Sequence, residues 1–89
     1  MIRKTVYYSG HVQGVNFRAT ARRIAAGYDV TGYVKNLPDG RVELVAEGAQ
    51  AEVDVMLNEL AETMSVYIRE TKVDAGDASG QFTDFTIAY

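Results

Sequence analysis

Five short segments of the chain predict β-strands; four of them alternate apolar and polar residues with a period of two, and the fourth in order contains Val66, Ile68 and Val73. The segments span residues 2–10, 30–36, 41–47, 66–73 and 84–89. In the third segment, Val42, Leu44 and Ala46 form the apolar row, while Arg41, Glu43 and Glu47 form the polar row. That pattern is typical of an antiparallel strand with one buried and one solvated face.

Two further segments carry the apolar spacing of amphipathic helices. The first is expected from about Arg18 to Gly27, with Ala21, Ile24, Ala25 and Tyr28 as its buried stripe. The second has its apolar face at Val53, Met56, Leu57, Leu60, Ala61 and Met64. Between them, residues 37–40 (Leu-Pro-Asp-Gly) predict a tight turn, and residues 74–80 predict a polar loop.

The order of these elements is β-α-β-β-α-β followed by one more strand. It predicts an α+β, ferredoxin-like split βαβ sandwich: one antiparallel sheet of four to five strands with both helices on one face. Residues 1–89 are expected to form a single domain of that kind. Because the fold hosts many unrelated functions, function has to be argued from individual residues.

Composition narrows the chemistry. The 89 residues include no Cys and one His, which leaves no disulfide framework, thiolate nucleophile or Cys-based metal site. There is no long apolar run and no signal-peptide pattern, so a cytoplasmic location is expected, with no membrane partner. The net charge is −3, but residues 1–45 carry a net charge of +4 and residues 46–89 a net charge of −7. This balance disfavours a general nucleic-acid binder and favours a local site for a small anion.

The strongest candidate for that site is the segment from Gly10 to Arg18, which joins a strand to a helix. Glycine lets the backbone approach a ligand closely, and the first amides of a helix have no partner within the helix. Arg18 falls in the first helical turn, where the dipole disfavours a cation unless an anion is bound. A tight turn with an exposed arginine would account for the same residues.

Asn36 is the second candidate, because its carboxamide both donates and accepts hydrogen bonds and could hold a water. The alternative is that Asn36 only opens the following turn. Weaker candidates are His11 as a general base, and an aromatic surface that could stack on RNA bases. The aromatic residues of that surface are Tyr7, Phe17 and Tyr33.

Two segments resemble signatures of the acylphosphatase family. Residues 10–18 (Gly-His-Val-Gln-Gly-Val-Asn-Phe-Arg) are similar to its Gly-x-Val-Gln-Gly-Val-x-Phe-Arg stretch. Residues 32–42 (Gly-Tyr-Val-Lys-Asn-Leu-Pro-Asp-Gly-Arg-Val), closing at Gly48, are similar to the second. The resemblance is strong over residues 6–48 and weaker beyond them.

The resemblance implies hydrolysis of the carboxyl–phosphate anhydride of small-molecule acyl phosphates, without metal or cofactor, by a protein expected to be a monomer. Arg18 would bind the phosphoryl group, and Asn36 would orient the attacking water. The residues implied in phosphate binding are Gly14, Val15, Asn16, Phe17 and Arg18. The alternative functions are a non-catalytic phosphate-binding module and a ferredoxin-like RNA binder.

Overall fold

The computed structural model describes residues 1–89, which form two helices and a five-stranded sheet. The strands are β1 (Ile2–Gly10), β2 (Val30–Asn36), β3 (Val42–Gly48), β4 (Ile68–Asp77) and β5 (Phe85–Ala88). The helices are α1 (Phe17–Ala25) and α2 (Gln50–Thr63). The strand order in the sheet is β4-β1-β3-β2-β5. This is the ferredoxin-like arrangement that the sequence predicts, with one strand added at an edge.

The sheet differs from the sequence prediction at both edges. β5 pairs with β2 in parallel, so the sheet is mixed and not antiparallel throughout. At the other edge, β4 continues to Asp77 and pairs with β1 along nearly its whole length. The predicted polar loop from Asp74 was therefore wrong over its first four residues. An edge strand keeps one side in water, which is why this strand could be polar and still extend.

The hydrophobic core lies between the helices and one face of the sheet. A cluster of 17 buried residues draws on all the elements except β4. From α2 it takes Val53, Met56 and Leu60, and Met64 follows the end of that helix, whereas Leu57 is half-buried and Ala61 is exposed. Neither helix has the length and apolar character required of a membrane span.

The other face of the sheet is partly covered, which corrects the prediction of a solvated face on β3. The β4–β5 loop (residues 78–84) crosses it, and Val45 and Glu47 are only 1% and 3% exposed. The Glu47 carboxylate accepts hydrogen bonds from the N–H and hydroxyl of Ser79 and from the Gly80 N–H. Phe82, from the same loop, packs edge-on against Tyr33. The loop thus carries the chain across the sheet and delivers β5 to the edge beside β2.

Candidate active site

One cleft of about 320 Å³ brings both sequence candidates together. Its wall is formed by the β1–α1 loop (residues 11–16), the first turn of α1, the end of β2 and residues from the end of the chain after Phe85. The lining residues are Val12, Gly14, Asn16, Phe17, Arg18, Ala19, Asn36, Ile87 and Tyr89. Of the predicted phosphate-binding residues, only Val15 does not line the cleft; its side chain packs against the core.

The backbone of the β1–α1 loop has the form of an anion-binding nest. Gly14 has φ 79° and Asn16 has φ 63°, while the φ of Val15 between them is not positive. Alternation of left-handed and ordinary residues turns successive N–H groups towards one concavity. The N–H groups of residues 12–16 donate to no carbonyl of the chain. They remain free for an external acceptor.

The N-terminus of α1 adds to this concavity. Asn16 is its N-cap residue but makes no side-chain capping hydrogen bond, and the first turn contains no acidic residue. The first amides of the helix therefore keep their partial positive charge facing outward. Phe17 holds the helix start in place, because it is buried and its ring lies 4.9 Å from that of Tyr8.

Arg18 places a cation at the same cleft. Its side chain is half-buried and forms no salt bridge, and its guanidinium lies 4.9 Å from the centre of the Tyr89 ring. A ring face attracts a guanidinium without neutralising its charge. The charge and the fork of N–H donors thus stay available to a ligand.

Asn36 reaches the cleft because it ends β2, paired with Val42 of β3. The β2–β3 turn (residues 37–41) is closed by Leu37 N–H donating to the Arg41 carbonyl, at 2.8 Å. Asp39 accepts from both the backbone N–H and the Nε of Arg41, and these bonds hold the pKa of that carboxyl below its usual value. The turn is thus internally braced immediately after Asn36.

Among the weaker candidates, His11, Tyr7 and Tyr33 lie outside the cleft lining, whereas Phe17 belongs to it. His11 is exposed, and its backbone N–H donates to the Tyr67 carbonyl. Tyr7 and Tyr33 donate their hydroxyls to Glu43 on the sheet face away from the helices. The Tyr7–Glu43 bond raises the pKa of Tyr7, and burial, with the bond to Glu43, raises that of Tyr33 to about 12. Phe17 is buried in the core between the helices and the sheet, whereas Tyr7 and Tyr33 lie on the opposite sheet face, so the three aromatic residues do not share one surface.

Sequence reasoning missed two parts of the site. Ile87 and Tyr89 line the cleft only because β5 pairs in parallel with β2, and an alternating pattern does not reveal the partner strand. The side-chain amide of Gln13 donates to the carbonyls of Leu37 and Arg41, at 2.8 and 3.0 Å. A glutamine between two loop glycines was a possible signal, but it did not identify a partner 24 residues away.

Comparison with known proteins supplies independent information about this cleft. The family model described as Acylphosphatase matches residues 4–87. An acylphosphatase of Methylococcus capsulatus is 44% identical over 93 residues, covering 98% of this chain and 96% of that protein. One of Archaeoglobus fulgidus is 37% identical over 95 residues, covering all of both chains.

Solved structures agree with these relatives. The acylphosphatase of Bacillus subtilis superposes with a TM-score of 0.90 at 26% identity, covering all of both chains. An acylphosphatase from Coxiella burnetii superposes with a TM-score of 0.82 at 31% identity, covering 97% of this chain and 90% of that one. The similarity of the backbone therefore extends over nearly the whole chain.

Proposed function

The chain belongs to the acylphosphatase family and hydrolyses acyl phosphates; we propose that Arg18 and the β1–α1 loop amides bind the phosphoryl group while Asn36 orients the attacking water. The observation that carries the proposal is the single cleft lined by Arg18, Asn36 and a loop of unpaired amides. An acyl phosphate presents one phosphoryl dianion, and such a cleft offers it a cation and several neutral donors.

Phosphoryl binding is the first step of the proposed reaction. The amides of residues 14–18 converge on the equatorial oxygens, helped by the positive end of the α1 dipole. The Arg18 guanidinium adds two parallel N–H bonds, which a lysine could not provide in a fixed geometry. These donors need no reorganisation as charge shifts towards the leaving oxygen, so they stabilise the transition state as well as the substrate.

Water attack is the second step, and it is assigned to Asn36. A carboxamide can accept one water hydrogen and donate to a second acceptor without changing its own protonation. Since Asn36 lines the same cleft as the β1–α1 loop, a water held by its carboxamide would lie next to a phosphoryl group bound by the amides. Holding a nucleophile in line accounts for a large part of the rate in phosphoryl transfer.

The proton of the attacking water goes to a phosphoryl oxygen of the substrate in this proposal. The water oxygen forms a bond to phosphorus, the bond between phosphorus and the carboxylate oxygen breaks, and inorganic phosphate and a carboxylate leave. A carboxylate is a good leaving group, so a general acid adds little. The exposed position of His11, outside the cleft lining, supports a mechanism that does not use a histidine base.

We take residues 1–89 to act as one domain, a cytoplasmic monomer that needs neither metal nor cofactor for turnover. The substrates are small-molecule acyl phosphates, and the reacting group is the same in carbamoyl phosphate, a glycolytic acyl phosphate and a phosphoaspartate. The curated relatives that carry the name acylphosphatase favour hydrolysis over a non-catalytic phosphate-binding module.

The test is phosphate release from benzoyl phosphate by the purified protein in the presence of EDTA. The proposal predicts hydrolysis well above the uncatalysed rate, unaffected by the chelator, with inorganic phosphate as a competitive inhibitor. A parallel thermal unfolding series with phosphate distinguishes the alternative. A binding module would gain stability from phosphate by mass action yet show only background hydrolysis.

A further inference from the structure

The β1–α1 loop and the β2–β3 turn are joined by one side chain. Gln13 donates both hydrogens of its amide to the turn: one to the Leu37 carbonyl at 2.8 Å and one to the Arg41 carbonyl at 3.0 Å. These are the only hydrogen bonds between residues 11–16 and residues 36–42. The side chain of Gln13 does not line the cleft, so its amide is committed to this link.

The hydrogen bonds of Gln13 lie beyond the last residue pair by which the sheet joins β1 to β3. β1 and β3 are paired up to Tyr8 and Val42, and beyond Tyr8 the chain continues towards Gly10 beside β4 alone. From there the β1–α1 loop carries the phosphate-binding amides, while Asn36 belongs to the opposite hairpin. Beyond the Tyr8–Val42 pair, no backbone hydrogen bond joins the β1–α1 loop to the β2–β3 hairpin.

Both acceptors of Gln13 are already rigid. The Arg41 carbonyl accepts the Leu37 N–H, and the Leu37 carbonyl accepts the Gly40 N–H, so each carbonyl uses its second lone pair for Gln13. The ion pair of Arg41 with Asp39 braces the turn from the solvent side. The two acceptors are fixed in the turn, and Gly14 bends the loop that carries Gln13. The two hydrogen bonds of Gln13 therefore fix the distance between the β1–α1 loop and the β2–β3 turn.

We propose that Gln13 is a positioning residue, whose two hydrogen bonds set the distance between the phosphate-binding amides and Asn36. The inference rests on the proposed function, because it requires that Asn36 hold the attacking water. Loss of the link leaves phosphate binding to the loop and Arg18 intact but lets the water drift from the line of attack. A misplacement of about 1 Å is enough to lower turnover by about a hundredfold.

The experiment compares Gln13→Met, which keeps the length and removes both donors, with Gln50→Met on the exposed start of α2 as the matched control. Benzoyl phosphate kinetics and inhibition by inorganic phosphate are measured for each variant after thermal unfolding has confirmed a folded state. For Gln13→Met we expect kcat to fall by about a hundredfold, while KM and the phosphate inhibition constant stay within about threefold. Gln13→Asn is one methylene too short to reach the turn and serves as a second variant. It should also lower kcat while leaving KM and the phosphate inhibition constant nearly unchanged.

A double-mutant cycle with Asn36→Ala completes the test. If Gln13 acts through Asn36, adding Gln13→Met to Asn36→Ala costs little more than Asn36→Ala alone. Additive losses, an unchanged kcat in a folded Gln13→Met protein, or a rise in KM and the phosphate inhibition constant at constant kcat would each overturn the inference. An Asn36→Ala protein with full kcat would instead contradict the water-orienting role in the proposed function, and the inference would fall with it.

Discussion

Asn16 is the one residue other than glycine with a positive φ, and it lies where the β1–α1 loop becomes α1. A left-handed backbone costs an L-residue about 1–2 kcal/mol, and asparagine tolerates it better than most. The only such residue lies at the position that shapes the proposed phosphate site. This is the kind of backbone outlier that clusters at functional sites.

Replacing Asn16 by alanine should lower the free energy of unfolding by about 1 kcal/mol, because alanine has no side-chain interaction to favour a left-handed φ. Asn16→Gly should be nearly neutral, since glycine adopts this φ freely. Urea unfolding measures both, with Asn58→Ala on the exposed face of α2 as the control that should not destabilise. Equal stabilities of the alanine and glycine variants would contradict this account of position 16.

His11→Ala should change kcat/KM by less than about tenfold, because the histidine lies outside the cleft lining and the proposed mechanism transfers the water proton to the substrate. The measurement is the hydrolysis of benzoyl phosphate across neutral pH. A general base contributes about a hundredfold or more, so a loss of that size would show that the proton goes to His11.

At the scale of elements, the β4–β5 loop and β3 depend on a buried carboxylate. Glu47 is 3% exposed and accepts three hydrogen bonds from Ser79 and Gly80, with the Arg3 Nε 3.7 Å away. Burial alone would raise the pKa of Glu47, but these donors and Arg3 outweigh it and hold the pKa below the ordinary 4.5. Because the loop leads directly into β5, Glu47 anchors the strand that delivers Ile87 and Tyr89 to the cleft.

Glu47→Gln should lower the free energy of unfolding by about 1–3 kcal/mol at neutral pH, since a buried charged acceptor is replaced by a group that pairs imperfectly. Glu62→Gln, on the exposed side of α2, is the control and should stay within about 0.5 kcal/mol. Chemical unfolding of the parent and of Glu47→Gln from pH 7 to pH 3 measures how the stabilisation by Glu47 depends on pH. The folded-state pKa is lowered, so the stabilisation is present above the unfolded value and is lost as pH falls through the folded pKa.

The elements also show how much of the fold and of the candidate site the sequence predicts. Residues 2–10 and 30–36 alternate clearly, and both strands appear with those bounds. The sequence predicts that Arg18 and Asn36 belong to one site, and both line one cleft. The parallel β5, the burial of Glu47 and the Gln13 link depend on which distant segment lies alongside, and a local pattern carries no information about that.

At the scale of the whole molecule, charge and fold place the site on the more basic half of an acidic chain. Residues 1–45 carry a net charge of +4 and contain the β1–α1 loop, α1 and the β2–β3 turn, while the net charge of −7 lies in the remaining residues. The core cluster extends under the cleft through Val12 and Phe17. The fold thus supports the proposed site for a small anion, which the overall charge alone would not predict.

The division of labour between Arg18 and Asn36 is tested most directly by steady-state kinetics of Arg18→Ala and Asn36→Ala with benzoyl phosphate. We expect Arg18→Ala to raise KM and lower kcat together, with a loss in kcat/KM of more than about a hundredfold. The reason is that the proposed mechanism has the Arg18 guanidinium bind the phosphoryl oxygens both in the bound substrate and in the transition state. Asn36→Ala should lower kcat by a similar factor with KM within about threefold, because the water is needed only for attack. Parent-like kinetics in both variants, or an Asn36→Ala protein changed in KM alone, would contradict the account.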